Sequence, residues 1–156
     1  MQDFSATRHL PLEGTYNIRD LGGYPSRDGR TTRWRTLLRA DSLHRLSPQG
    51  QEHLLQWGLR TVIDLRRSEE LQKAPNVFAG STQVTYHHLS LLSDGPSHRP
   101  IPATLVETYR VILDERQSSL REAFQALATQ DLLPAIFHCT AGKDRTGLLS
   151  ALLLGL

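Results

Sequence analysis

The sequence predicts an α/β domain whose mainly parallel central sheet is flanked by helices, and three observations predict it. Apolar stretches of strand length alternate with amphipathic stretches of helix length along most of the 156 residues, the pattern of strand–helix–strand units around a parallel sheet. The apolar run over residues 132–137 leads into a ten-residue loop at 138–147 and then into a helix-length apolar run over 148–154. That order places the loop at the carboxyl end of a central strand, where sheets of this class hold their ligands. The composition, 38% hydrophobic and 22% charged, fits a soluble single domain over residues 1–156, long enough to bury a core.

The elements follow in order. Residues 1–13 read as an arm tethered by Leu10 and Leu12. Residues 16–24 contain Gly22-Gly23, and 25–30 form a turn around Asp28-Gly29 between short strands. Asn17, Arg19 and Asp20 read first as structural, an Asn holding a turn and an Arg–Asp pair; alternatively, Arg19 and Asp20 buttress a ligand loop. Residues 33–39 read as a strand ending in Arg39. Ser47 is a helix N-cap with Pro48 at the first helical position, Leu54, Leu55 and Trp57 supply its apolar residues, and Gly58 ends it. Residues 59–65 read as a buried strand. Asp64 and Arg66 at its end lie near the ligand edge of the sheet, although Asp64 could equally cap a turn or pair with an arginine. Ser68-Glu69-Glu70-Leu71 opens a short helix that Pro75 closes.

Residues 84–89 form the next strand. Its His87 and His88 point to opposite faces and cannot share one metal. Residues 90–100 are a polar loop containing Asp94. A helix over 102–114 places Leu105, Tyr109, Ile112 and Leu113 on one side, and a second over 118–129 presents Leu120, Phe124 and Leu127. The final apolar run, with leucines at 148, 149, 152, 153 and 154, covers most of a helix's circumference. A helix of that kind needs cover on all sides. Either the helices of 102–129 provide it or the bare face drives formation of a homo-oligomer.

The loop reads HCTAGKDRTG. Backbone N–H groups in so tight a loop can converge on one anion, and the following helix adds its unpaired N–H groups and positive dipole end. Gly142 permits a turn that a side chain would block. Arg145 offers a planar fork for two phosphate oxygens. Cys139 at the base of this bowl is placed to be a thiolate and to attack a phosphoryl group in line, forming a phosphocysteine. Asp144 can protonate the departing oxygen and then activate water, with Asp94 as the alternate acid. Thr140, Ala141, Gly142 and Lys143 line the anion, Lys143 suiting a second phosphate. Thr146 can donate toward the Cys139 sulfur, and His138 can orient the loop through the backbone. Each residue has an ordinary alternative: a buried apolar Cys139, an exposed Arg145, an Asp144 that only favours the helix dipole. Their coincidence on one strand–loop–helix is what selects the chemistry.

HCTAGKDRTG resembles the phosphate loop of the cysteine-dependent protein tyrosine phosphatases, whose signature is HC-x5-RT/S. The AGKDR variant is similar to a bacterial branch with dual-specificity or phosphoinositide activity. Residues 14–24, GTYNIRDLGGY, resemble that branch's N-x-RD-LGG element; residues 61–66, TVIDLR, and 38–43, LRADSL, fit two further segments. The resemblance implies a tyrosine-phosphatase-like fold; the sequence departs from the family in its short C-terminus, a natural minimal form or a truncation, where family members usually continue past the loop helix with several more helices. The resemblance also implies a hydrolase that needs no metal or cofactor, with Asp144 as the acid, acting on a phosphorylated protein or a phosphoinositide. The rival expectation is a non-catalytic module that binds phosphate or phosphoinositide.

A net charge of +2 and a pI near 9.0 suit anionic substrates and are too weak to argue for nucleic acid. The single cysteine excludes an internal disulfide. The N-terminal residues lack an apolar signal region and no stretch is long enough to span a membrane, so a cytoplasmic protein is expected.

Overall fold

The structure, a computed structural model, describes residues 7–92 and 104–155. Its strands are β1 (Arg19–Asp20), β2 (Leu37–Ala40), β3 (Thr61–Asp64), β4 (Thr85–His88) and β5 (Ala135–His138), and its helices are α1 (Pro48–Gln56), α2 (Ser68–Lys73), α3 (Leu105–Glu115), α4 (Gln117–Ala128) and α5 (Asp144–Leu154). One sheet holds the strands in the order β1-β2-β5-β3-β4. β1 runs antiparallel to β2, whereas the β2–β5, β5–β3 and β3–β4 pairs are parallel. The expected mainly parallel α/β sheet is therefore present, with β5 at its centre.

The strands are shorter than the apolar runs that announce them. The run over 33–39 becomes a strand only at Leu37, because Arg35 has a φ of 57°, the left-handed region that ends extended backbone. Leu59 and Leu65 flank β3 and are fully or almost fully buried, yet they lie outside the strand. Burial extends past the ladder, so hydrophobicity overstates strand length. Every residue of β3 and β5 is buried, as both faces of a parallel sheet are covered.

Alternate side chains feed two cores. Ile63, Ala135 and Phe137 pack with Ile112, Leu120, Leu127 and Leu149 from α3, α4 and α5. Leu38, Val62 and Ile136 pack on the opposite face with Leu54 of α1, Phe78, Leu10 and Leu12. Burial of each large aliphatic side chain contributes about 2 kcal/mol. Leu10 and Leu12 are core residues, so the described part of the expected arm is docked against the sheet; Leu10 N donates to Ile18 O at 2.9 Å.

The helix starts follow local chemistry. Ser47 Oγ accepts from Gly50 N at 3.1 Å, with Pro48 in the first turn. Thr104 and Glu107 form a reciprocal capping box on α3. The apolar stripe of α3 departs from expectation: Ile112 is fully buried, but Leu105 is 55% exposed and Leu113 38% exposed. Leu105 lies on the same stripe as Ile112 but about 10 Å nearer the N-terminus. On α5, Leu149 is fully buried and Leu148, Leu152 and Leu153 pack partly against the core, leaving Leu154 the more exposed. The bare helix expected from its leucine content is thus largely clothed. Among the described residues no helix is long and apolar enough to cross a membrane.

Candidate active site

Residues 139–143 form a loop at the carboxyl end of β5, between that strand and α5. The register aligns Ala40, Asp64 and His138 at the same level of the sheet, so β2 and β3 flank the loop. Cys139 is 2% exposed. Among the described residues, no protein acceptor is found for the backbone N–H groups of Thr140 to Arg145. A consecutive run of unpaired amides at a helix N-terminus is the arrangement that binds a dianion.

The loop is held from behind through its carbonyls. Asn17 Nδ2 donates to Ala141 O at 3.0 Å and to Gly142 O at 3.3 Å. Arg39 donates to Gly142 O at 2.6 Å, and Ser42 N donates to Thr140 O at 3.0 Å. Fixing carbonyls outward leaves amides inward, since the two alternate along the backbone. Gly142 has a φ of 67°, and a Cβ there would lie 2.5 Å from Ala40 O. Only glycine fits against the end of β2 in this conformation. Asp41 fixes the Asn17 segment by accepting from Tyr16 N and Asn17 N at 3.0 and 3.1 Å.

Arg145 is clamped by a residue from a distant helix. Its Nη1 and Nη2 donate to the two oxygens of Glu70 on α2, at 2.7 and 3.0 Å. Its Nη2 also donates to Thr140 Oγ1 at 3.1 Å, and Thr140 Oγ1 donates to Glu70. A bidentate carboxylate fixes the plane of a guanidinium. Burial by itself would raise the Glu70 carboxyl; the bonds from Arg145 and Thr140 outweigh it and hold Glu70 down at about 2. Burial would likewise weaken the Arg145 charge, but Glu70 and the nearby Cys139 sulfur push its pKa above the usual arginine value.

Beneath the loop lies a buried polar network. Asp64 binds Arg66 twice, Oδ1 to Nε at 2.9 Å and Oδ2 to Nη2 at 2.7 Å, and accepts from Tyr86 Oη at 3.0 Å. His138 Nε2 sits 3.3 Å from Asp64 Oδ2 and 2.7 Å from Asn76 Nδ2. The other ring nitrogen, Nδ1, donates to the Cys139 carbonyl at 3.1 Å. Burial alone would raise Asp64's carboxyl, but His138 and Arg66 hold it well below the usual carboxylate range. This network anchors the floor of the loop; Asp64 and Arg66 pair with each other and are buried, so the pairing alternative holds and neither lines the bowl.

The structure thus gathers Cys139, Thr140, Ala141, Gly142, Lys143, Asp144 and Arg145 on one loop and helix start. Lys143 is exposed at the cap position of α5. Asp144 opens that helix and accepts from Tyr109 Oη at 3.0 Å. His138 orients the loop through the backbone, as expected. Thr146 departs from expectation: it is fully buried and its hydroxyl makes no hydrogen bond to the sulfur or to any other partner among the described residues. Asp94 lies outside the described residues. Arg19 reaches the loop only through Asn17, its Nε donating to Asn17 Oδ1 at 2.9 Å. Asp20 does not pair with Arg19; it accepts from Gly22 N and Arg35 N. His87 and His88 join no cluster, and among the described residues no three His, Cys, Asp or Glu side chains converge.

Four contributors escape a reading of the sequence: Glu70, Arg39, Asn17 as a direct loop ligand, and Tyr109. Glu70 was visible only as a first-turn carboxylate. Its place just after the carboxyl end of β3, beside β5, is the signal that points it at the loop.

A buried cysteine followed by amides with no protein acceptor among the described residues, with an arginine as the second residue of the following helix, is the arrangement of the cysteine-dependent phosphatases. A family model described as the tyrosine phosphatase family matches residues 10–156, and the chain belongs to that family. The chain is 33% identical over 124 aligned positions to a tyrosine-protein phosphatase of Nostoc commune, covering 76% of this chain and 42% of that protein. It is 32% identical over 164 positions to a protein of Cupriavidus necator whose name assigns it provisionally to the tyrosine-protein phosphatases, covering 94% of this chain and 57% of that protein. The chain spans about half the length of the curated relatives it matches.

Proposed function

We propose that this chain hydrolyses phosphomonoesters, phosphotyrosine first among them, through a phosphocysteine at Cys139. The observation that carries the proposal is the geometry of the loop: amides from Thr140 to Arg145 without a protein acceptor among the described residues, on the loop that opens with the buried Cys139, with Arg145 fixed by Glu70. Three phosphoryl oxygens fill the bowl, and the amides and guanidinium stabilise the charge that builds on them in the transition state.

In the first step the Cys139 thiolate attacks phosphorus. The S–P bond forms, the ester P–O bond breaks, and the departing oxygen takes the proton of the Asp144 carboxyl. In the second step water attacks phosphorus and gives its proton to the Asp144 carboxylate; the S–P bond breaks, releasing phosphate and restoring the thiolate. Lys143 at the rim adds a cation suited to a second phosphate, which extends the proposal to dual-specificity and phosphoinositide substrates. Separately, we propose that the one α5 leucine left exposed, Leu154, supports self-association; light scattering that finds a monomer at all concentrations contradicts this and leaves the hydrolysis proposal standing.

The proposal predicts turnover of p-nitrophenyl phosphate in EDTA, inhibition by vanadate, and loss of turnover in Cys139→Ser. Full activity of Cys139→Ser overturns it. Phosphate binding by the wild type without any turnover favours the binding-module alternative.

A further inference from the structure

The proposed reaction has no evident use for α3, yet one hydrogen bond ties that helix to the loop. Tyr109 Oη donates to Asp144 Oδ1 at 3.0 Å. Along the stripe of α3, Ile112 is fully buried and Leu105 is 55% exposed; Tyr109, between them, is half-buried. Its ring sits where the helix emerges from the core, and its hydroxyl ends on a carboxyl at the edge of the bowl.

A carboxyl at the first position of a helix has competing partners. The first-turn N–H groups of α5 attract it, and its side chain has several rotamers. Proton donation needs one oxygen free of other donors and a fixed direction. Resting on the assignment of Asp144 as the acid, we propose that Tyr109 is a positioning residue: by occupying Oδ1 it fixes the Asp144 carboxyl and leaves Oδ2 to carry the proton. In the first step Oδ2 gives that proton to the leaving oxygen, and in the second it receives one from water. Tyr109 keeps its own proton throughout; partial burial and the bond to Asp144 both push its hydroxyl above the ordinary tyrosine value. The residue is reached from a helix 35 positions earlier in the chain.

The test is the dependence of kcat/KM on the leaving group, measured on the whole 156-residue chain. A purely structural tie between α3 and α5 slows all substrates alike. A positioning role slows those that need a proton. For Tyr109→Phe the expected result is a loss of about tenfold with phenyl phosphate or a phosphotyrosine peptide and less than about twofold with p-nitrophenyl phosphate, whose phenolate departs with little help. On an Asp144→Asn background, Tyr109→Phe is expected to add nothing. An equal loss on both substrates, no loss on either, or an additive loss in the double variant overturns the inference. Asp144→Asn alone separates the two claims. If it shows no leaving-group discrimination, the acid assignment fails and this inference with it. If it discriminates and Tyr109→Phe does not, only the role of Tyr109 fails.

Discussion

Replacing Glu70 by Gln removes one charge and keeps the shape, so it isolates the clamp on Arg145. Glu70 accepts from Arg145 twice, from Thr140 and from Arg67 N. A glutamine offers one acceptor oxygen and turns an NH2 group toward donors, so the bidentate grip becomes single. The stability effect follows from the pKa. The carboxyl sits at about 2 in the folded protein against an ordinary 4.5, a gap worth about 3 kcal/mol. The Glu70 side chain is 20% exposed, and solvent screening brings the figure to about 2 kcal/mol. Because the folded value is the lower one, this contribution is complete above pH 4.5 and disappears as the pH falls toward 2. Urea unfolding of Glu70→Gln beside wild type should therefore show a deficit of about 2 kcal/mol at pH 7 that shrinks below pH 4.5 and closes only below about pH 2. The same loosening lets Arg145 leave its transition-state position, and about 2 kcal/mol in the barrier is about 30-fold in kcat/KM. A Glu70→Gln protein with kcat/KM within twofold of wild type and the same pH dependence of stability refutes the claim that this carboxylate sets the arginine.

Two further substitutions probe the frame of the site. Asp64→Asn leaves the buried Arg66 guanidinium, 2% exposed, without its counter-charge and should cost about 3–5 kcal/mol; denaturant unfolding that shows under 1 kcal/mol contradicts the network described. Gly142→Ala forces a side chain to a φ of 67° with its Cβ 2.5 Å from Ala40 O. It should lower stability by about 2–4 kcal/mol and suppress vanadate binding, and a thermal midpoint equal to wild type contradicts the close approach.

Much of the fold could be read because its signals are local. Ser47-Pro48 fixes where α1 begins through a bond that spans three residues; the apolar stripe announces α3 but sets its start at residue 102, whereas the Thr104–Glu107 cap starts it at Leu105. The phosphate loop is likewise contiguous, so Cys139, Asp144 and Arg145 announce one another. What holds the loop is not contiguous. Glu70 meets Arg145 across 75 positions and Arg39 meets Gly142 across 103, and no local periodicity records such pairs. Thr146 shows the limit within the motif itself: its spacing suggested a bond to sulfur, but the first turn of α5 carries its hydroxyl into the interior. Leu105 shows the same limit for burial, which depends on what covers a stripe as well as on the stripe.

The central claim is that phosphorus becomes bonded to the Cys139 sulfur during turnover. The direct measurement is rapid denaturing quench of Asp144→Asn during reaction with p-nitrophenyl phosphate, followed by mass spectrometry of the peptide containing residue 139. One phosphoryl group on that cysteine, accumulating with the first burst of p-nitrophenol, is the result predicted. Steady turnover with Cys139 unmodified at every quench time contradicts the account.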